Sequence, residues 1–401
     1  MVATEVAYRI ADDPASPVMS VPDDRDQDGP RPGIGLCLSG GGYRAMLFHL
    51  GSLWRLNELG YLPRLARISS VSGGSITAGR LGLVWSKLDF DASTGVARRF
   101  VDEVATPIRE LASHTIDWPS VAIGAALPGL TAADLIERAY RKHLFADATV
   151  ADLPVDDVGP RFVIVAASVQ TGALFRFSQR YVADWHVGIN RRAPQQIPLA
   201  KAVAASSAFA PILSPVVLDL EPGGFERSPG ADHNVAPYTK RIVLTDGGNY
   251  DNLGLETVYK RLQTVLVSDA VAAMSAEEKP REGWIRHGVR AVEMLLNQTV
   301  SVRKRQLIAA YETKQRKGAY WSVRSDVAHF ALADVWPFDQ ALALELAQTP
   351  TRLKALDDDV QAALINWGYV ACDTAMRKHV EPTATRPTAL PYPQRTNGDS
   401  P

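Results

Sequence analysis

The sequence predicts an α/β protein built as three layers, α/β/α, around a central, mainly parallel sheet. Three observations lead there. Apolar runs of strand length alternate along the chain with longer stretches of helical period, the order that strand-helix-strand units generate. Three of those runs end in glycine-rich or small-residue turns, as strands do at the edge where open α/β sheets hold their ligands. The composition, 46% apolar and 22% charged, is that of an ordinary globular chain and excludes a fibrous or disordered one.

Taken in order, GIGLCL at 33–38 reads as a buried strand running into a glycine loop. Met46, Leu50, Leu53 and Trp54 follow at helical spacing, and Gly60 suits the end of that helix. LARISSVS at 65–72 is a second short strand, and GGSITAGRLGLVWSKL after it begins a second helix. RFVIVAASVQTGALFRFSQ at 161–179 is a strand pair joined at Thr171-Gly172, and KAVAASSAFAPIL is a short helix stopped before Pro211. RIVLTDGG at 241–248 is a strand entering a turn, and TVLVSDA at 264–270 is one more buried strand. No repeat period suggests a solenoid.

Residues 1–30 and 381–401 are rich in Pro, Asp, Ser and Thr, too polar to repay ordering, and are expected to be flexible tails around one domain over 31–380. Lys and Arg total 43 against 44 Asp and Glu, so no global field favours nucleic acid. Cys37 and Cys372 alone form neither a disulfide framework nor a zinc pattern, which points to a reducing, cytoplasmic setting. No apolar segment has signal-peptide or membrane-spanning character, leaving peripheral membrane contact as the compatible membrane association.

Three motifs carry chemistry. Ser70-Val71-Ser72-Gly73-Gly74 approximates the G-x-S-x-G elbow, in which a serine on a sharp strand-to-helix turn exposes its hydroxyl; the same residues also suit a helix-capping loop. Ser39-Gly40-Gly41-Gly42-Tyr43-Arg44 sits at a strand end before a helix, where unpaired N–H groups and the helix dipole favour an anion. A nucleotide loop is a poor match, because the G-x-x-x-x-G-K-[ST] pattern is absent, but a ligand-free turn is not. Asp246-Gly247-Gly248 ends the run Ile242-Val243-Leu244 and reads as a carboxylate at a strand end or as plain Asp-Gly turn chemistry.

The set resembles the patatin-like phospholipase family, through SGGGYRA at 39–45, SVSGGS at 70–75, AVAASSAFAPIL at 202–213 and DGGNYDNLG at 246–254, in the family's order. The resemblance implies that Ser72 is the nucleophile and Asp246 its dyad partner. It further implies that Gly40, Gly41 and Gly42 donate to an oxyanion and that lipid or phospholipid acyl esters are the substrate. Ser70 stands where the elbow pattern has glycine. An aspartate base needs desolvation or a short bond to the hydroxyl to work near neutral pH. No cofactor is implied, and the eight histidines include no H-E-x-x-H or other close ligand pair, so no metal is expected. A soluble short-acyl esterase or thioesterase, or a non-catalytic lipid-binding protein of the same fold, stays open. So do two features: the apolar stretch from Trp118 to Gly129 as lid or buried connection, and Arg303, Lys304 and Arg305 as head-group contacts or a solvated helix face.

Overall fold

The computed structural model describes residues 30–117, 131–210, 213–221, 223–228, 230–280 and 283–393. The stretch 118–129 considered above as a lid lies outside them, as does most of the expected N-terminal tail. The chain runs β1 (Arg31–Leu38), α1 (Gly42–Glu58), β2 (Leu65–Val71), α2 (Gly73–Leu83), α3 (Thr106–Ala112), α4 (Ala132–Tyr140) and β3 (Arg161–Ser168). It continues through β4 (Leu174–Ser178), β5 (Tyr181–Asp184), β6 (Gly188–Asn190), α5 (Leu199–Ser206), β7 (Val216–Asp219) and β8 (Arg241–Asp246). It ends with β9 (Leu262–Asp269), α6 (Trp284–Glu312), β10 (Lys317–Ser322), α7 (Gln340–Ala347) and α8 (Asp358–His379).

Leu36, Leu38 and Leu266 enter one apolar core while Cys37, Val265 and Val267 enter another. β1 and β9 are therefore covered on both faces, which is why residues 36–38 and 265–267 are apolar without alternation. α1, α2 and α8 contribute to the larger core, and α6 with Leu253, Leu255 and Val258 covers the opposite face. This is the expected three-layer α/β/α order.

The sheet runs β10-β9-β1-β2-β3-β4-β5-β6. The first five strands are parallel, and β4, β5 and β6 extend them antiparallel. The change of direction follows from connection length: β3 and β4 are joined by a tight turn with Gly172 at φ +68°, too short for a crossover. β7 and β8 are antiparallel to each other, and β8 is antiparallel to β3.

α1 and α8 cross at two glycines. A Cβ on Gly51 would lie 1.8 Å from the Ile365 carbonyl oxygen, and one on Gly368 1.9 Å from that of Phe48. Beside the crossing, the buried Asp373 carboxylate accepts from Arg55 Nε at 2.8 Å and Arg377 Nε at 3.0 Å. Residues 381–393, read from the sequence as the start of a flexible tail, lie against these helices. Asn366 bonds both backbone groups of Tyr392, at 2.8 and 3.0 Å, and the Tyr392 ring meets Trp54 edge-on. The tail reading weighed average composition, whereas Tyr61, Arg55 and Asn366 each bond this segment, at Glu381, Thr385 and Tyr392.

Because backbone meets backbone at the crossing, no rotamer change can relieve an added methyl. Gly368→Ala is expected to lower the unfolding free energy by about 3 kcal/mol or to prevent folding, read from the urea midpoint; an unchanged midpoint would contradict the close approach.

Candidate active site

Strand register brings the expected pair together. β2 lies parallel to β3 with Val71 beside Val165, and β8 lies antiparallel to β3 with Asp246 beside Ala166. Since β4 occupies the other edge of β3 over Ile164–Ala167, β2 and β8 share one edge and meet head-on. Ser72, the residue after Val71, is thereby brought beside Asp246, close enough for its hydroxyl to lower the carboxyl's pKa.

Ser72 has φ +50° and ψ −120°, a backbone state that costs a side-chain-bearing residue about 1–3 kcal/mol. The surroundings hold it there. A Cβ on Gly73 would lie 2.1 Å from the Gly42 carbonyl oxygen, and one on Gly74 2.5 Å from that of Leu38, so the turn is pressed onto the glycine loop. Ser70, which departs from the elbow pattern, remains within β2, where its buried hydroxyl accepts from Ser75 Oγ at 3.0 Å. A serine fits because a polar partner stands where glycine would leave space.

The residue that sequence reasoning gave no role is Ser206, at the end of α5. Its buried hydroxyl donates to the Val165 carbonyl at 2.6 Å, accepts from the Ser72 N–H at 3.0 Å and lies 2.8 Å from Ser75 Oγ. Its carbonyl accepts from the Gly247 N–H at 3.3 Å, and the Ala208 carbonyl accepts from the Asp246 N–H at 3.0 Å. Two residues of one segment, Ser206 and Ala208, thus hold the backbones of Ser72 and Asp246 together. The signal was the small pair Ser206-Ser207 at a helix end, which by itself reads as a helix stop.

Burial raises the Asp246 carboxyl to about 7, against the lowering effect of the Gly248 N–H, 2.7 Å from Oδ1, and of the Ser72 hydroxyl. Arg44 does not offset this: its guanidinium is tied to the Ala270 and Thr349 carbonyls and to Thr351 Oγ1. His49, fully buried between Ser268 Oγ and the Ser39 carbonyl, is pushed down to about 4 by desolvation and is neutral. His287 and His329 are exposed, and among the described residues no histidine lines the cleft around Ser72.

That cleft has a volume of about 350 Å³, and its apolar walls include Phe209, Val271, Met274, Leu296 and Val300 beside Ser72 and Asp246. The glycine loop is less uniform than its sequence suggested. Gly40 and Gly41 line the cleft, but the Gly40 N–H already donates to the Asn252 carbonyl at 3.0 Å, which removes it from the expected oxyanion donors. Gly42 packs on the Arg352 backbone and is not part of the lining. Among the described residues neither the Gly41 nor the Gly73 N–H has an acceptor. Gly41 stands at the cleft wall, and Gly73 directly follows Ser72.

Two features outside the cleft differ from expectation. His186, Asp232 and His233 place ligand-type atoms within 4.8 Å of one another, a pairing that sequence distance hid. Both imidazoles bond Asp232 Oδ1 at 2.7 Å, so the three groups satisfy one another. The basic cluster is largely ion-paired: Arg303 meets Glu256 at 3.0 Å and Asp251 at 3.5 Å, and Lys304 meets Asp269 at 2.5 Å. These pairs tie α6 to the connection between β8 and β9 and to β9 itself, with Arg305 left exposed.

The sequence matches the family model of patatin-like phospholipase over residues 36–259, more than half the chain. No curated protein matches it significantly. The structure is similar to human GIVD cytosolic phospholipase A2 in complex with methyl gamma-linolenyl fluorophosphonate, with TM-score 0.47 and 14% identity, covering 94% of this chain and 61% of that one. Another structure of the human enzyme gives 0.36 and 14%, over 66% and 48%. VipD from Legionella pneumophila gives 0.35 and 15%, over 87% and 67%. The chain thus spans about half to two thirds of these proteins.

Removing the Ser206 hydroxyl orphans the Val165 carbonyl and the Ser72 N–H together. Ser206→Ala is expected to cost about 2 kcal/mol of stability and to slow covalent labelling of Ser72 by a fluorophosphonate. Wild-type labelling in a folded variant would show that Ser206 does not position Ser72.

Proposed function

Because the chain belongs to the patatin-like phospholipase family, we propose that it is a serine acyl hydrolase of phospholipase A or lysophospholipase type, with Ser72 as nucleophile and Asp246 as base. The observation that carries the reading is the placement of Ser72, by strand register, beside a buried carboxylate whose affinity for protons is raised to about 7. A carboxyl of ordinary pKa would be a weak base here, whereas one balanced near neutrality can both take and return a proton.

In the proposed reaction Asp246 accepts the hydroxyl proton as Ser72 Oγ bonds to the acyl carbon, and the carbonyl oxygen gains the electron pair. The Gly41 N–H, and Gly73 as a second donor, stabilise that charge, each worth about 3 kcal/mol in such sites. Collapse expels the alcohol, which takes the proton back from Asp246. Water then enters, gives a proton to Asp246 and attacks the acyl-enzyme, and the proton returns to Ser72 as the fatty acid leaves. No step calls on a metal or a nucleotide. The apolar wall from Phe209 to Val300 suits an acyl chain. The modest cleft volume, at the lower end for ligand sites, favours as second reading an esterase for short soluble acyl esters.

The test is hydrolysis of p-nitrophenyl esters from acetate to palmitate, and of a phospholipid in micelles. Ser72→Ala and Asp246→Asn are each expected to lower kcat on the order of 10⁴-fold. Activity retained in either folded variant overturns the dyad, and turnover confined to the shortest esters selects the second reading. Since the base works only when deprotonated, kcat/KM should rise with pH through about 7 and fall below it as Asp246 takes up its proton. A rate that stays flat from pH 5 to 8 would assign the base elsewhere.

A further inference from the structure

α6 buries one apolar stripe and exposes apolar side chains elsewhere: Val289, Met294 and Ile308 are scattered, and four others are aligned. Val300 and Leu307 are buried against the sheet, and Leu296, Asn297 and Arg290 line the cleft. On the opposite side, Trp284, Val292, Leu295 and Val302 are 83%, 52%, 63% and 48% exposed. Their spacing keeps them within one helical face, which at 1.5 Å per residue runs about 27 Å along the helix. Isolated apolar residues on a surface need no explanation, but an aligned row headed by a nearly bare tryptophan does. His287 and Arg305 flank this row, and no carboxylate lies within it.

We propose that this outer face of α6 docks on a lipid surface, so that the helix forming one wall of the cleft also sets the cleft against its substrate. The inference rests on the acyl-hydrolase reading and extends it to the physical state of the substrate. A helix with Trp, Leu and Val on one face and basic residues beside them has the character of an interfacial helix, the tryptophan sitting at head-group depth. The exposed Arg305 side chain, with no ion-pair partner among the described residues, complements an anionic head group and adds to the apolar contribution. A second copy of the chain fits less well. Four side chains on one helix fall short of the roughly 800 Å² per partner of a stable interface. Phe209, in the cleft wall and 40% exposed, gives an acyl chain an apolar step from the lipid phase into the site.

The experiment uses the full chain with phosphatidylcholine vesicles, with and without phosphatidylglycerol. Trp284→Asp and Leu295→Asp lie outside the cleft lining. Each is expected to weaken vesicle co-sedimentation about tenfold and to slow vesicle hydrolysis in step, while hydrolysis of monomeric p-nitrophenyl butyrate stays at the wild-type rate. Binding unaffected by either substitution overturns the docking face. So does a wild type that hydrolyses the soluble ester but never sediments with vesicles, an outcome that leaves the hydrolase reading intact. A wild-type dimer dispersed by the same substitutions also overturns it, in favour of a second copy. If wild type hydrolyses no ester yet sediments with vesicles through Trp284 and Leu295, the docking face stands and the hydrolase reading falls.

Discussion

The arrangement depends on what happens at one edge of β3. There β2 and β8 arrive from opposite directions and stop, leaving the last carbonyls and N–H groups of each without a ladder partner. Unpaired backbone groups in a buried position are costly, and the gap is closed by the end of α5. The Ser206 hydroxyl takes the Val165 carbonyl and the Ser72 N–H, and the carbonyls of Ser206 and Ala208 take the N–H groups of Gly247 and Asp246. The requirement to satisfy backbone polarity at a strand junction thus fixes the distance between two side chains from remote parts of the sequence.

The strain at Ser72 has the same origin. A positive φ with ψ near −120° persists only where neighbours leave no alternative. Here they are the Ser206 hydroxyl on one side and, on the other, a glycine loop so close that neither Gly73 nor Gly74 could carry a side chain. The loop in turn is anchored by the Gly40 N–H on Asn252 and by Arg44 on Ala270 and Thr349. With Gly40 committed to that anchor, Gly41 is the cleft-lining glycine of the loop whose N–H has no acceptor among the described residues. One N–H is given to structure so that the next is held still.

Much of this was legible in the sequence, and the part that was not has a common cause. Apolar runs ending in small residues identified β1, β2, β3 and β8 and placed Ser72 and Asp246 at strand ends, because double burial and tight turns leave local marks. Strand direction leaves none: Ile242-Val243-Leu244 reads alike in a parallel or an antiparallel strand, and only the register with β3 shows that β8 meets β2 head-on. Ser206 read as a helix stop because its partners lie 134 and 41 residues away. Arg303 and Lys304 read as a solvated basic patch because Asp251, Glu256 and Asp269 come to them only through folding. Tyr392 read as tail because Asn366 lies in another element.

The electrostatics of the site follow from the same junction. A carboxylate at the end of an ordinary exposed strand would be hydrated and strongly acidic. Asp246 is closed in by α5 and by the apolar cleft, with the Gly248 N–H as a hydrogen-bond donor, the Ser72 hydroxyl beside it and, among the described residues, no cation to balance it. Arg44, a cation of the same cleft, is turned away onto backbone carbonyls, and His49 is neutral. Desolvation therefore outweighs hydrogen bonding and moves the carboxyl toward neutrality. Had Arg44 faced Asp246, the ion pair would have returned it to ordinary acidity. Withholding the cation is thus as much a part of the site as supplying the serine.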